Sequence, residues 1–212
     1  MKCELPSDIG NLSSLILLDL GDNELRGPIP ATFGGLRSLQ KFSLHQNKLQ
    51  GSISNSLCNL ENLYIVDLQK NRLSGQLPGC FGSLASLQLI YLAENAFNSN
   101  IPSTFWLNSD IQILDLSKNL FDGSMPLQIG TMKNIRQLNR SRNQFSGGIP
   151  SSIGQLVNLV NLSLSDNKIQ ELVSSVKYNA ICGILAPVFR PSNHGGCRPL
   201  GVLRHTPLDL ES

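Results

Sequence analysis

The sequence has no Cys-x-x-Cys pair, no apolar run near the roughly 18 residues that a membrane span needs, and no excess of either charge. The first absence removes the usual zinc and dithiol redox motifs. The second gives no transmembrane segment, and the opening MKCELPSDIG lacks the apolar stretch of a signal peptide. The third, 17 Lys and Arg against 15 Asp and Glu in 212 residues, excludes the basic stripe of a nucleic-acid binder. The three histidines, His45, His194 and His205, are scattered and read as surface side chains. Kinase signatures are missing as well: there is no Gly-rich loop, V-A-I-K, H-R-D or D-F-G. Five cysteines cannot all pair with one another; Cys58 and Cys80 are expected to be free or buried.

What is present is a period. Asn23, Asn47, Asn71, Asn95, Asn119, Asn143 and Asn167 stand 24 residues apart without a slip. Around each runs the frame L-x-x-L-x-L-x-x-N-x-L-x-G-x-I-P, as in LILLDLGDNELRGPIPATFGGL from Leu15 to Leu36. A fixed period of this length marks a repeat architecture. The L-x-L pairs, such as Leu18 with Leu20 and Val66 with Leu68, have the two-residue period of a strand with one buried face. The Asn amide carries donors and an acceptor that can satisfy a buried turn. Gly and Pro shape the return segment, and Phe33, Leu57, Phe81, Phe105, Ile129 and Ile153 close the far side.

The expected fold is therefore a right-handed, curved solenoid of 24-residue coils. A parallel sheet lines the concave face and short 3-10 or irregular segments line the convex face. Residues 1–14 are expected to be the second half of a leading repeat, since ELPSDIGNL from Glu4 to Leu12 matches GPIPATFGGL in a later coil. Residues 15–170 hold seven coils, the last incomplete, and residues 171–212 a degenerate cap with a disordered tail. The chain is expected to be a fragment of a longer array or a truncated product, because that leading repeat lacks its strand half and leaves the next strand as an exposed edge.

The copies with L-x-G-x-I-P after the Asn resemble the plant-specific class of leucine-rich repeats. Proteins of that kind include the ectodomains of receptor-like kinases and receptor-like proteins, and secreted polygalacturonase inhibitors. LSLSDNKIQ and NAICG are similar to the subfamily of receptors that perceives microbial peptides and proteins. The resemblance implies the extracellular face of the plasma membrane or the apoplast, a peptide or protein ligand, a co-receptor as a second candidate partner, and no cofactor. It implies N-glycosylation too, for which Asn11, Asn139 and Asn161 supply sequons. It also implies a capping disulfide, Cys182 with Cys197. A partial receptor ectodomain is the leading functional expectation; an inhibitor of a cell-wall-degrading enzyme, or a truncated product without activity, are the alternatives.

Ligand contacts are expected on the outward strand residues and the turn beside them: Lys41, Ser43, His45, Gln46, Asp67, Gln69, Lys70, Tyr91, Glu94, Asp115, Lys118, Gln137 and Arg142. Mixed charge with an aromatic anchor suits an extended peptide or protein epitope. No nucleophile stands beside a base, and no enzyme is expected. One coil departs from the frame. QLNRSRNQFSGGIP places Arg140 where the other copies have leucine, on the inward face. An unpaired buried guanidinium is costly, so Arg140 must snorkel, find a buried acceptor, or disorder its coil.

Overall fold

A computed structural model of the chain describes residues 4–170, 189–191 and 197–199. One parallel sheet of seven strands runs through the solenoid. The strands are Leu17–Asp19, Lys41–Ser43, Ile65–Asp67, Leu89–Tyr91, Ile113–Asp115, Gln137–Asn139 and Asn161–Ser163, stacked in chain order. Each pairs with the next in the repeat register: Leu18 lies beside Phe42, Phe42 beside Val66, and Leu138 beside Leu162. These middle residues point inward because alternate strand residues face opposite sides; the ones in the first six strands are buried. Short strands such as Lys48–Gly51, Arg72–Gly75, Ala96–Asn100 and Leu120–Asp122 build a second ladder beyond the asparagine turn. Five-residue 3-10 helices then close each coil, from Ser7–Asn11 to Ser151–Gln155. Phe33, Leu57, Phe81, Phe105, Ile129 and Ile153 are all buried from those helices, as the frame requires. At the chain's far end, Phe189–Pro191 and Cys197–Pro199 pair antiparallel.

The asparagines join the coils. Asn119 donates through Nδ2 to the carbonyls of Leu116 (3.2 Å) and Ser117 (3.1 Å) in its own coil. The same amide donates to Leu92 O of the coil before it, at 2.9 Å. Its Oδ1 accepts the Phe97 amide of that earlier coil at 3.0 Å. Asn47, Asn71, Asn95, Asn143 and Asn167 repeat the arrangement, so four backbone groups that burial would orphan are satisfied at each turn. Just inside this ladder, Phe97, Phe121 and Phe145 stack with ring centroids 5.9 and 6.2 Å apart.

Two features correct the sequence reading. Cys58 and Cys80 are not free: they form a disulfide between the 3-10 helices Asn55–Asn59 and Gly79–Ser83, with Cα atoms 5.6 Å apart. Their spacing of 22 residues is two short of the repeat, so they occupy inequivalent positions on neighbouring coils, and the slight offset is what lets the side chains meet. The pairing expected between Cys182 and Cys197 cannot be placed, because Cys182 lies outside the described residues.

Arg140 does face inward, only 1 % exposed, and its Nε and Nη1 find no buried acceptor. Its coil is nevertheless ordered, with Gln137–Asn139 paired on both sides. The guanidinium carbon lies 3.5 Å from the Phe145 ring centroid and 5.2 Å from that of Trp106. Nε and Nη1 have no partner, and burial pushes the group down to about 9. Stacking on aromatic rings recovers part of the desolvation cost, but the unmet donors leave a deficit. Arg140→Leu is therefore expected to stabilise the fold by about 1–2 kcal/mol and raise the midpoint of thermal unfolding by about 4 °C. An unchanged or lower midpoint by calorimetry would refute this.

The frame's glycine explains a second irregularity. Gly27, Gly51, Gly75, Gly123 and Gly147 all have φ between 75° and 84°. Ser99 occupies the equivalent position of its coil at φ 70°, where a side chain is strained by about 1 kcal/mol. Ser99→Gly should raise stability by roughly 0.5 kcal/mol after the unfolded-state entropy of glycine is counted, and Ser99→Val should lower it by more than that. Chemical denaturation of the two variants distinguishes these outcomes from the reverse order.

Candidate functional site: the concave face

The strand register carries the site. Outward residues line up across the sheet as two rows. One row runs Leu17, Lys41, Ile65, Leu89, Ile113, Gln137 and Asn161. The other runs Asp19, Ser43, Asp67, Tyr91, Asp115, Asn139 and Ser163. Beyond the strands, Asp22, Gln46, Lys70, Glu94, Lys118, Arg142 and Asp166 all adopt φ between 52° and 58°, each immediately before a ladder asparagine. Their side chains form a third row at the rim, where Lys118 meets Glu94 at 2.8 Å and Lys70 donates to Gln46 Oε1 at 3.2 Å. Arg142 Nε approaches Asp166 at 3.5 Å.

At the N-terminal end the rows knit together. Lys41 Nζ lies 2.8 Å from Asp19 Oδ2, and this hydrogen bond, helped by the Gly21 amide, holds the Asp19 carboxyl down at about 2. The depressed value means that the pair's contribution to stability is complete above pH 3.8 and is lost as pH falls through about 2. His45 bridges the coils on either side of its own: Nε2 sits 2.9 Å from Asp22 Oδ2, and Nδ1 sits 3.0 Å from Ser43 Oγ and 3.8 Å from Asp67 Oδ2. Gly21 permits that reach, because a Cβ there would collide with the imidazole ring. Burial pushes Asp67 upward against the hydrogen bonds of Gln69 and the field of His45.

The C-terminal half is more open. Tyr91, Ile113, Asp115, Gln137, Asn139 and Asn161 are among the residues lining a concave depression of about 230 Å³. Burial, then the charges of Asp67 and Asp115, push the Tyr91 phenol upward, so Tyr91 is a neutral donor and aromatic surface at ordinary pH. Asn139 turns its Oδ1 to Ser141, accepting from both amide (3.2 Å) and hydroxyl (2.8 Å).

The thirteen expected contacts thus fall into distinct settings. Lys41, His45, Asp67 and Gln69 belong to the polar network. Ser43, only 1 % exposed, supports His45 from beneath and offers little surface. Tyr91, Asp115 and Gln137 line the depression, while Gln46, Lys70, Glu94, Lys118 and Arg142 form the rim. Asp19 and Asp22 complete the network and were not among the expected contacts, although the strand period placed both outward. Asn11 ends the first 3-10 helix in an exposed position and Asn161 lies exposed on the last concave strand, whereas Asn139 is half-buried within the sheet. Among the described residues no group of three His, Cys, Asp or Glu side chains could hold a metal ion. Nor, among them, is any helix long and apolar enough to cross a membrane.

A family model described as leucine rich repeat matches residues 6–49 and 61–121. No curated protein matches the chain. Among solved structures, the ectodomain of the Arabidopsis receptor kinase HAESA, in complex with an N-terminally extended IDA peptide hormone, is 36 % identical with a TM-score of 0.77. That match covers 79 % of this chain and 28 % of the ectodomain chain. The plant peptide hormone receptor RGFR1, in complex with RGF2, is 28 % identical with a TM-score of 0.68, over 79 % of this chain and 31 % of that one. The ectodomain of the Arabidopsis thaliana receptor kinase SOBIR1 is 32 % identical with a TM-score of 0.54, over 61 % of this chain and 67 % of its own. The chain therefore spans less than a third of the two hormone receptors. With the 24-residue frame, the ladder asparagines and the single parallel concave sheet, these matches make the chain a member of the plant-type leucine-rich repeat proteins, similar to the ectodomains of receptor kinases.

Proposed function

We propose that the chain is the ligand-recognition part of a plant receptor ectodomain and holds an extended peptide or protein segment across its concave face. The observation that carries this reading is the continuity of the Tyr91 depression with the Asp19–Lys41–His45–Asp67 network on one sheet. An extended ligand laid across the strands meets an aromatic anchor, a row of amides and then alternating charges. The likeness to HAESA and RGFR1, each solved with a peptide hormone, favours a peptide over a cell-wall enzyme as partner. The disulfide between Cys58 and Cys80 suits an oxidising, extracellular compartment, and exposed Asn11 suits a glycan clear of the sheet.

Binding of a synthetic library of secreted plant peptides to the immobilised chain tests the reading. A bound peptide should lose about tenfold or more in affinity on Tyr91→Ala and on Asp115→Ala, near 1.4 kcal/mol each. Lys133→Ala, outside the concave sheet, should leave affinity unchanged. A library without a binder, or a binder indifferent to both concave substitutions, would sink the proposal; capture of a polygalacturonase instead would point to the inhibitor class.

A further inference from the structure

Arg140 does more than interrupt a row of leucines. Its side chain passes through the coil from the concave sheet and lines a cavity of about 190 Å³ on the return side. Asn100, Ser103, Trp106, Asp122 and Ser124, from the return segments of two neighbouring coils, contribute to its walls. The site is distinct from the depression at Tyr91: the two share no lining residue.

The chemistry of the guanidinium narrows what this cavity would hold. Phe145 lies 3.5 Å from its central carbon, and Trp106 stands 5.2 Å away. Contact with Phe145 takes up a face of the planar group and leaves its N–H bonds projecting in the plane, where Nε and Nη1 have no acceptor. No described carboxylate forms an ion pair with it. Nη2 pairs in plane with either Nε or Nη1, and each of these two edges, Nε–Nη2 and Nη1–Nη2, holds two parallel donors that match the two oxygens of a carboxylate. The hydroxyls of Ser103 and Ser124 and the amide of Asn100 supply neutral donors around them. Asp122, exposed on the wall, opposes an anion by its charge and competes for Arg140 if it turns inward.

We infer that this cavity is a second binding site, taking a small carboxylate, free or carried on an acidic side chain, in bidentate contact with Arg140. Its occupation supplies the acceptor that an arginine in a leucine position leaves wanting. The inference stands or falls separately from peptide binding on the concave face.

Thermal unfolding of the full chain, in sodium acetate against sodium chloride at equal ionic strength and pH, tests it. N-acetyl-aspartate amide, whose sole charge is a side-chain carboxylate, serves as a second probe. Acetate should raise the unfolding midpoint saturably by about 3 °C in the native chain and leave Arg140→Leu, which lacks the fork, unmoved. Asp122→Asn should saturate at several-fold lower acetate concentration. A response to acetate alone assigns a free carboxylate, and a response to both probes extends the site to acidic side chains. Equal midpoints in acetate and chloride, or a shift that persists in Arg140→Leu, would overturn the inference.

Discussion

Each coil of this protein depends on one side-chain amide. A ladder asparagine satisfies two carbonyls of its own turn, one carbonyl of the preceding coil and one amide of that coil. No coil could bury those groups by itself, because two of the four partners belong to its neighbour. The leucines supply most of the favourable burial, at about 1.5–3 kcal/mol each, but burial alone does not set the register. The asparagine does, since its hydrogen bonds tie fixed positions of one coil to fixed positions of the coil before it. At Asn23, the first of the series, Nδ2 reaches, among the described residues, only the Leu20 and Gly21 carbonyls of its own coil.

The concave surface follows from that constraint. Fixing the turn forces the preceding residue to positive φ, which lifts the side chains of Gln46, Lys70, Glu94, Lys118 and Arg142 to the rim of the sheet. Strand pairing sets residues 24 apart side by side, and reaches diagonal to that register let Lys41 meet Asp19 and His45 bridge Asp22 and Asp67. The ladder also explains how the coil tolerates Arg140. What the asparagines use at that position is the carbonyl, which accepts from Asn143 at 3.3 Å and Asn167 at 2.8 Å. The side chain can leave the leucine pattern while the backbone keeps its place, and the misfit becomes a cavity rather than a disordered coil.

The fold was legible because its cause is periodic. Asparagine, leucine and glycine at fixed offsets predicted the concave strands, the turn and the buried 3-10 helices, and the inward direction of Arg140 followed from the same count. Contacts between coils were less so. The network at His45 depends on Gly21 leaving room for the ring, which no single-coil pattern reveals. The Cys58–Cys80 bond was missed because the two residues are offset by 22 rather than 24 positions, and comparison of equivalent positions passes over them. That Phe145 and Trp106 would both meet the guanidinium of Arg140 was not legible, since their relation crosses three coils.

The ladder as the origin of register can be examined directly by native-state hydrogen exchange. The amides of Leu49, Leu73, Phe97 and Phe121 donate to the asparagine Oδ1 of the following coil. If the ladder couples the coils, these amides exchange slowly and together, at the free energy of global unfolding. Independent exchange of the four, each at a rate typical of a surface loop, would contradict it.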